Sequence, residues 1–145
     1  MDGGRRILVV PLTDGGVRTV PSMAGRTILV VEDDPVVQRL IEVNFSMEGW
    51  AVVTANDGLA GLAAIRAERP DCILSDIMMP KMTGLELLAL VLDDPDLAAI
   101  PVILLSAKAQ SPDVQAGLDA GAADYVTKPF EPMDLLERVE KVLAD

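Results

Sequence analysis

The chain contains no histidine. That excludes imidazole acid–base catalysis, histidine-ligated metal sites and any phosphohistidine formed on the chain itself. Cys72 is the only cysteine, so no internal disulfide forms; it sits in an apolar stretch and is expected to be a small buried hydrophobe. Aromatics are 3% of the 145 residues while half are hydrophobic, so the core must be built from Val, Ile, Leu, Ala and Met. That composition suits helices packed on a sheet more than an aromatic-rich β-sandwich. No apolar run approaches the roughly 20 residues of a membrane span. Arg5-Arg6 and the apolar stretch after it are too short for a signal peptide and lack a clean cleavage site. The expectation is a cytoplasmic protein with no membrane partner. Basic residues are also scarce: 12 Lys and Arg stand against 23 Asp and Glu, a net charge of −11. So acidic a chain repels nucleic acid and anionic membrane, and favours cations, metal ions or basic protein surfaces as partners. The same charge also serves plain solubility.

What is present begins with a near-repeat. "GRRILVV" starts at Gly4 and "GRTILVV" at Gly25. Only the second runs directly into acids, Glu32, Asp33 and Asp34; the first runs into Pro11 and is flanked by Gly-Gly pairs. The second is therefore expected to be the first strand of a domain spanning residues 25–145. Residues 1–24 are expected to be an N-terminal extension, a flexible arm. The alternative for the first copy is an extra edge strand, or a strand swapped between two molecules.

From Thr27 onward, short apolar runs alternate with helical patterns. The runs are residues 27–31, 51–55, 72–75, 102–105 and 124–127. Between them, Val36, Val37, Leu40, Val43 and Met47 recur at three and four, as do Leu85, Leu88 and Leu92, then Leu135, Leu136, Val139 and Leu143. Asp34-Pro35 and Ser111-Pro112 place a capping residue before a proline suited to the first helical turn; Asp57-Gly58 and Glu131-Pro132 are weaker versions. Gly49 and Gly121 fall where helices should stop. Five strands alternating with five helices predict a doubly wound α/β domain with a parallel sheet. Ligands of such sheets bind beyond the carboxyl ends of the strands.

The residues at those ends are chemically distinctive. Glu32, Asp33 and Asp34 follow the first strand, Asp76 the third, Ser106 the fourth and Lys128 the fifth. Clustered carboxylates repel, and a hard divalent cation such as Mg²⁺ relieves this through oxygen ligands. A carboxylate is also a competent nucleophile towards phosphorus once the phosphoryl oxygens are neutralised. Each residue has a plainer role open to it. Acids cap helices, Asp76 and Ser106 suit turns, and Lys128 suits a solvated surface.

Four segments, "ILVVEDD", "ILSDIMMPKMTGLELL", "VILLSA" and "GAADYVTKPF", together resemble the response-regulator receiver domain of two-component signalling, the CheY-like superfamily. The resemblance implies a flavodoxin-like (βα)5 fold with strand order 2-1-3-4-5. It implies that Asp76 is the phosphoacceptor, with Lys128 and Ser106 contacting the phosphoryl group. Glu32, Asp33, Asp76 and the backbone carbonyl of Met78 would hold Mg²⁺. Ser106 and Tyr125 would form the switch, and Lys128-Pro129 a cis peptide. Met78 and Lys108 occupy positions that tune phosphoryl lifetime in relatives. Val53, Leu59 and the leucines after Gly84 are expected to face the interior, and Trp50 to lie away from the site.

The expected function is a single-domain response regulator, because the chain ends directly after the last helix. Its phosphoryl donor would be a sensor histidine kinase or a histidine phosphotransfer protein, since this chain has no histidine of its own. The signal would leave through the surface of the fourth helix, fifth strand and fifth helix towards a downstream protein target. Neither nucleic acid nor membrane is expected as a partner, and the chain is expected as a monomer or weak homodimer. The alternatives are a phosphorelay intermediate, a metal-dependent phosphatase with an Asp nucleophile, and a binding module whose phosphorylation is vestigial. Such phosphatases carry their nucleophile on the first strand, whereas the candidate here lies on the third.

Overall fold

Short β-branched runs that are apolar on both sides form strands only where both sheet faces are covered, and here both are. The computed structural model describes residues 6–11, 15, 17–22, 25–107 and 112–144, with side chains for 15, 25–107 and 115–144. Two strands come first, β1 (Arg6–Pro11) and β2 (Val17–Ser22). The alternation follows as β3 (Thr27–Val31), α1 (Pro35–Met47), β4 (Ala51–Ala55), α2 (Gly58–Glu68), β5 (Cys72–Asp76) and α3 (Gly84–Asp93). It continues through β6 (Val102–Ser106), α4 (Pro112–Asp119), β7 (Asp124–Thr127) and α5 (Pro132–Ala144). The main sheet is parallel with order β4-β3-β5-β6-β7, which is 2-1-3-4-5 counted from β3.

The two copies of the repeated phrase part company here. The Gly25 copy becomes β3, paired with β4 on one side and β5 on the other. The Gly4 copy supplies β1, which pairs antiparallel with β2 in a separate two-stranded sheet and is not an edge strand of the main one. Residues 1–5, 12–14, 16, 23 and 24 of the expected extension lie outside the described residues, as do Lys108 and Ser111.

Successive strand residues point to opposite faces, so each strand feeds two cores. Ile28, Val30, Cys72, Leu74, Ile103 and Leu105 pack against α1 and α5 through Ile41, Phe45, Leu135 and Val139. Leu29, Val31, Ile73 and Leu104 pack on the other side against Ile65, Leu87, Leu88 and Val91 of α2 and α3. Cys72 is buried as expected, and burial pushes its thiol up to about 12. Trp50 is also buried and packs edge-on against Phe45 at a centroid separation of 5.7 Å. It precedes β4, at the end of the sheet opposite the carboxyl ends.

Burial sorts the apolar helix residues and corrects the expectation for two of the leucines, Leu59 and Leu92. Val36, Leu40, Val43 and Met47 form an exposed stripe on α1, while Val37, Ile41 and Phe45 face the core. The helix carries apolar residues on two faces, and only contact with the sheet decides which goes inside. Leu59 is 52% exposed because it lies in the first turn of α2, whose inward positions are Gly58, Gly61 and Ile65. Val53 and Leu85 are partly buried against the core and Leu88 is fully buried, but Leu92 is 37% exposed.

Candidate functional site

A parallel sheet sends every strand end to one edge, and helix caps then fix the loops there. Asp34 caps α1, accepting from Val36 N at 2.9 Å with Pro35 at the first helical position, which orients the loop carrying Glu32 and Asp33. Asp57 caps α2 by accepting from Ala60 N at 2.8 Å. That bond, the first of several, holds its carboxyl below the ordinary range. Thr83 caps α3 in a reciprocal box with Glu86, with Glu86 N donating to Thr83 Oγ1 at 3.2 Å and Thr83 N to Glu86 Oε1 at 3.0 Å. The Thr-x-x-Glu spacing of that box is a helix-start signal carried in the sequence itself. Pro112 and Pro132 open α4 and α5, and Gly49 and Gly121 adopt φ of 92° and 112° just past α1 and α4.

The strand-end groups converge. Glu32, Asp33 and Asp76 each place a carboxylate oxygen within 4.8 Å of the others. Glu32 is fully buried and Asp76 nearly so, whereas Asp33 is exposed. Lys128 reaches in from beyond β7, donating to Glu32 Oε1 and lying 3.3 Å from Asp76 Oδ2. Glu32 Oε2 also accepts from Asp34 N at 3.0 Å. Burial raises the Glu32 pKa, aided by the charge of Asp76, and outweighs the lowering by Lys128 and the Asp34 N–H. For Lys128, burial acts to lower the pKa, but the hydrogen bond to Glu32 and the two carboxylates together hold it above the ordinary value.

Ser106 ends β6, is buried, and its carbonyl accepts from Lys128 N at 2.7 Å, tying it to the Lys128-Pro129 turn. That peptide is cis, as expected. Thr127 pairs with Ser106 and Tyr125 with Leu104, so Tyr125 shares the sheet face of Ser106 two residues back along the strand. Met78 lies in the loop after Asp76 with its side chain 70% exposed, so any contribution to the site comes from its backbone. Gly84 sits directly behind Asp76: a Cβ there would fall within 3.0 Å of the Asp76 carbonyl oxygen and at 3.0 Å from Ile77 Cα.

All the predicted strand-end residues thus lie at one edge, with Tyr125 on the adjoining face. Sequence reasoning missed Gln38. Its Nε2 is within hydrogen-bonding distance of Glu32 O at 3.1 Å, Ala55 O at 3.2 Å and Asn56 Oδ1 at 3.0 Å. No sequence signal marks a glutamine whose partners are carbonyls of two strand ends.

The donor set fits a hard divalent cation. Three carboxylates share a space that holds one ammonium, leaving a net negative charge that oxygen-preferring Mg²⁺ would balance. The arrangement sets a buried carboxylate beside a cation, at the edge where Ser106 also ends its strand, and such a pair can neutralise and hold an incoming anionic group.

Residues 28–140 match the response regulator receiver domain family. The transcriptional regulatory protein CseB of Streptomyces coelicolor is 45% identical over 122 residues, covering 83% of this chain and 51% of CseB. The chain thus spans about half the length of the curated relatives it matches. A putative response regulator from Chloroflexus aurantiacus superposes with a TM-score of 0.79 at 34% identity, covering 83% of this chain and 98% of that one. The receiver domain of sensor histidine kinase PA1611 from Pseudomonas aeruginosa, solved with magnesium coordinated in its active-site cleft, gives a TM-score of 0.78 at 31% identity, covering 84% and 100%. No helix among the described residues is long and apolar enough to cross a membrane. By its parallel sheet, its strand-end carboxylates and this similarity over most of its length, the chain belongs to the response-regulator receiver family.

Proposed function

We propose that this chain is a phosphorylation switch whose acceptor is Asp76, loaded from a phosphohistidine on a partner kinase or phosphotransfer protein. The single observation that carries the reading is the convergence of Glu32, Asp33 and Asp76 within 4.8 Å, with Lys128 beside two of them. Glu32, Asp33, Asp76 and the Met78 carbonyl would hold Mg²⁺, which when bound supplies charge neutralisation of the phosphoryl oxygens.

An Asp76 carboxylate oxygen attacks phosphorus; the new O–P bond forms as the N–P bond of the donor breaks, and the imidazole leaves with the electron pair. Lys128 holds a fixed positive charge against the transferring oxygens, and the raised pKa of its ammonium keeps it protonated for that task. The Ser106 hydroxyl donates to a phosphoryl oxygen, drawing the end of β6 towards Asp76. Tyr125, on the same face, adjusts to fill the space, which carries the change to α4, β7 and α5. A groove of about 400 Å³ lined by Tyr125, Phe130, Asp134 and Arg138 lies along that surface and offers a downstream protein a place to bind. With a net charge of −11, the domain acts through protein contacts rather than by touching nucleic acid itself. CseB is a transcriptional regulator by name; for this chain the output proposed is a protein partner bound at that surface.

The test is phosphotransfer profiling. Purified, phosphorylated histidine kinases and phosphotransfer proteins are each mixed with the chain and Mg²⁺. One donor should transfer stoichiometrically and faster than the others. Catalytic turnover of a generic phosphate ester, without stoichiometric labelling, would instead identify an Asp-nucleophile phosphatase.

A further inference from the structure

The Gln38 side chain approaches three groups at once: the carbonyls of Glu32 and Ala55 and the side-chain oxygen of Asn56. Backbone carbonyls only accept, so the Gln38 amide must present its NH₂ to this cluster. That amide has two hydrogens for three acceptors, so at least one is shared. The Ala55 carbonyl already accepts from Glu32 N at 3.0 Å, which makes Gln38 the second donor to the joint between β3 and β4.

The position of this joint gives it consequences. The Glu32 carbonyl belongs to the peptide that links Glu32 to Asp33, so pinning it fixes the plane from which the Asp33 carboxylate departs. Asp33 is exposed and makes no ion pair among the described residues, so its backbone is what aims it. Gln38 is itself fixed, because its N–H donates to Asp34 O at 3.0 Å in the first turn of α1. The brace extends further: Asn56 adjoins Asp57, which is 3.4 Å from Lys81 in the loop after β5. Lys81 adopts φ of 70°, and a Cβ at Gly58 would fall within 3.0 Å of Met82, so the β4–α2 loop is lodged against the β5–α3 loop.

We infer that Gln38 is a positioning residue for cation binding: it clamps the Glu32–Asp33 peptide to the end of β4 and so aims Asp33 into the site. The inference rests on the metal-site reading above and adds a residue outside the carboxylate set. Gln38→Met keeps the length and removes both side-chain N–H donors while leaving the backbone bond to Asp34. It should raise the Mg²⁺ dissociation constant about tenfold, the lower end of the cost of losing an outer hydrogen-bonding partner of a metal ligand. Asn56→Ala, which removes one acceptor and keeps Gln38, should raise it about threefold.

The experiment is titration calorimetry of the full chain with MgCl₂, beside thermal melts without metal and Asp76 labelling over a range of Mg²⁺. The expected result is a weaker dissociation constant for Gln38→Met, a metal-free melting temperature within a few degrees of the parent, and labelling restored at saturating Mg²⁺. A lower melting temperature with unchanged Mg²⁺ affinity would make Gln38 a merely structural residue and overturn the inference. Asp33→Asn separates the two levels of the argument. Binding lost in Asp33→Asn but unaltered in Gln38→Met sinks this inference alone, and no Mg²⁺ binding by the parent chain sinks the metal-site reading with it.

Discussion

Replacing Gly84 by Ala should damage both stability and chemistry, because the glycine lies against the backbone of the proposed nucleophile. A Cβ at Gly84 would fall within 3.0 Å of the Asp76 carbonyl oxygen and at 3.0 Å from Ile77 Cα and from the Asp76 carbonyl carbon. These are backbone atoms held by the sheet: Ile77 N donates to Leu105 O at 3.0 Å, and Gly84 N donates to Ile77 O at 2.8 Å. No side chain can swing aside, so α3 or the end of β5 must move. Overpacking of this kind costs about 1–3 kcal/mol. Alanine's helix propensity returns at most about 1 kcal/mol, and less at the first helical position. The net loss of roughly 1–2 kcal/mol should lower the melting temperature by about 3–8 °C for a domain of this size. Displacing the end of β5 also moves Asp76 relative to Lys128, now 3.3 Å away, so labelling by acetyl phosphate should slow by about tenfold or more. Gly121→Ala is the control. Its φ of 112° and its contact with Leu92 make alanine unfavourable there too, but far from Asp76. It should melt earlier and label normally. A Gly84→Ala protein that melts and labels like the parent, or one that melts early but labels normally, would refute the proposed link between this contact and the site.

Asp33→Asn should stabilise the metal-free protein by about 1 kcal/mol, the water-screened end of the repulsion expected for charges within 4.8 Å, and should abolish most of the Mg²⁺-induced rise in melting temperature. An unchanged Mg²⁺ response would place the ion elsewhere. Glu140 is raised in pKa by burial first, then by the charges of Glu48 and Glu137. The native state therefore binds its proton more tightly than the unfolded chain, and the ionised group costs stability at neutral pH. Glu140→Gln should melt higher than the parent at pH 7, and the difference should vanish below the ordinary value of 4.5, where both forms are neutral; a gain that persists there would contradict the electrostatic cause. Deleting residues 1–22 should leave the rate of Asp76 labelling and the oligomeric state unchanged, and a lost dimer or lost folding would give the N-terminal strands a part in the domain.

Much of this was legible in the sequence because the α/β rule is geometric. Once alternating strands and helices imply a parallel sheet, whatever follows each strand must meet at one edge, so Asp33, Asp76, Ser106 and Lys128 could be grouped without coordinates. The choice between the two copies of the repeated phrase was legible for the same reason, since only β3 ends in acids. The buried face of α1 was not. Val36, Leu40, Val43 and Met47 keep helical spacing as well as Val37, Ile41 and Phe45 do, and periodicity cannot rank two apolar stripes. Gln38 was hidden for another reason: its partners are main-chain carbonyls and an asparagine from strands joined only by the fold. The contact behind Gly84 belongs to the same class, because nothing in the local sequence reports that α3 begins against the backbone of Asp76.

The central claim is that Asp76 accepts a phosphoryl group with the help of a cation held by its neighbours. Incubation with acetyl phosphate and Mg²⁺, followed by borohydride trapping and peptide mapping, tests it most directly. The account predicts one modified residue per chain, at Asp76, absent in Asp76→Asn and absent when Mg²⁺ is chelated. Full labelling of Asp76→Asn, or undiminished labelling of the parent chain without divalent metal, would contradict it.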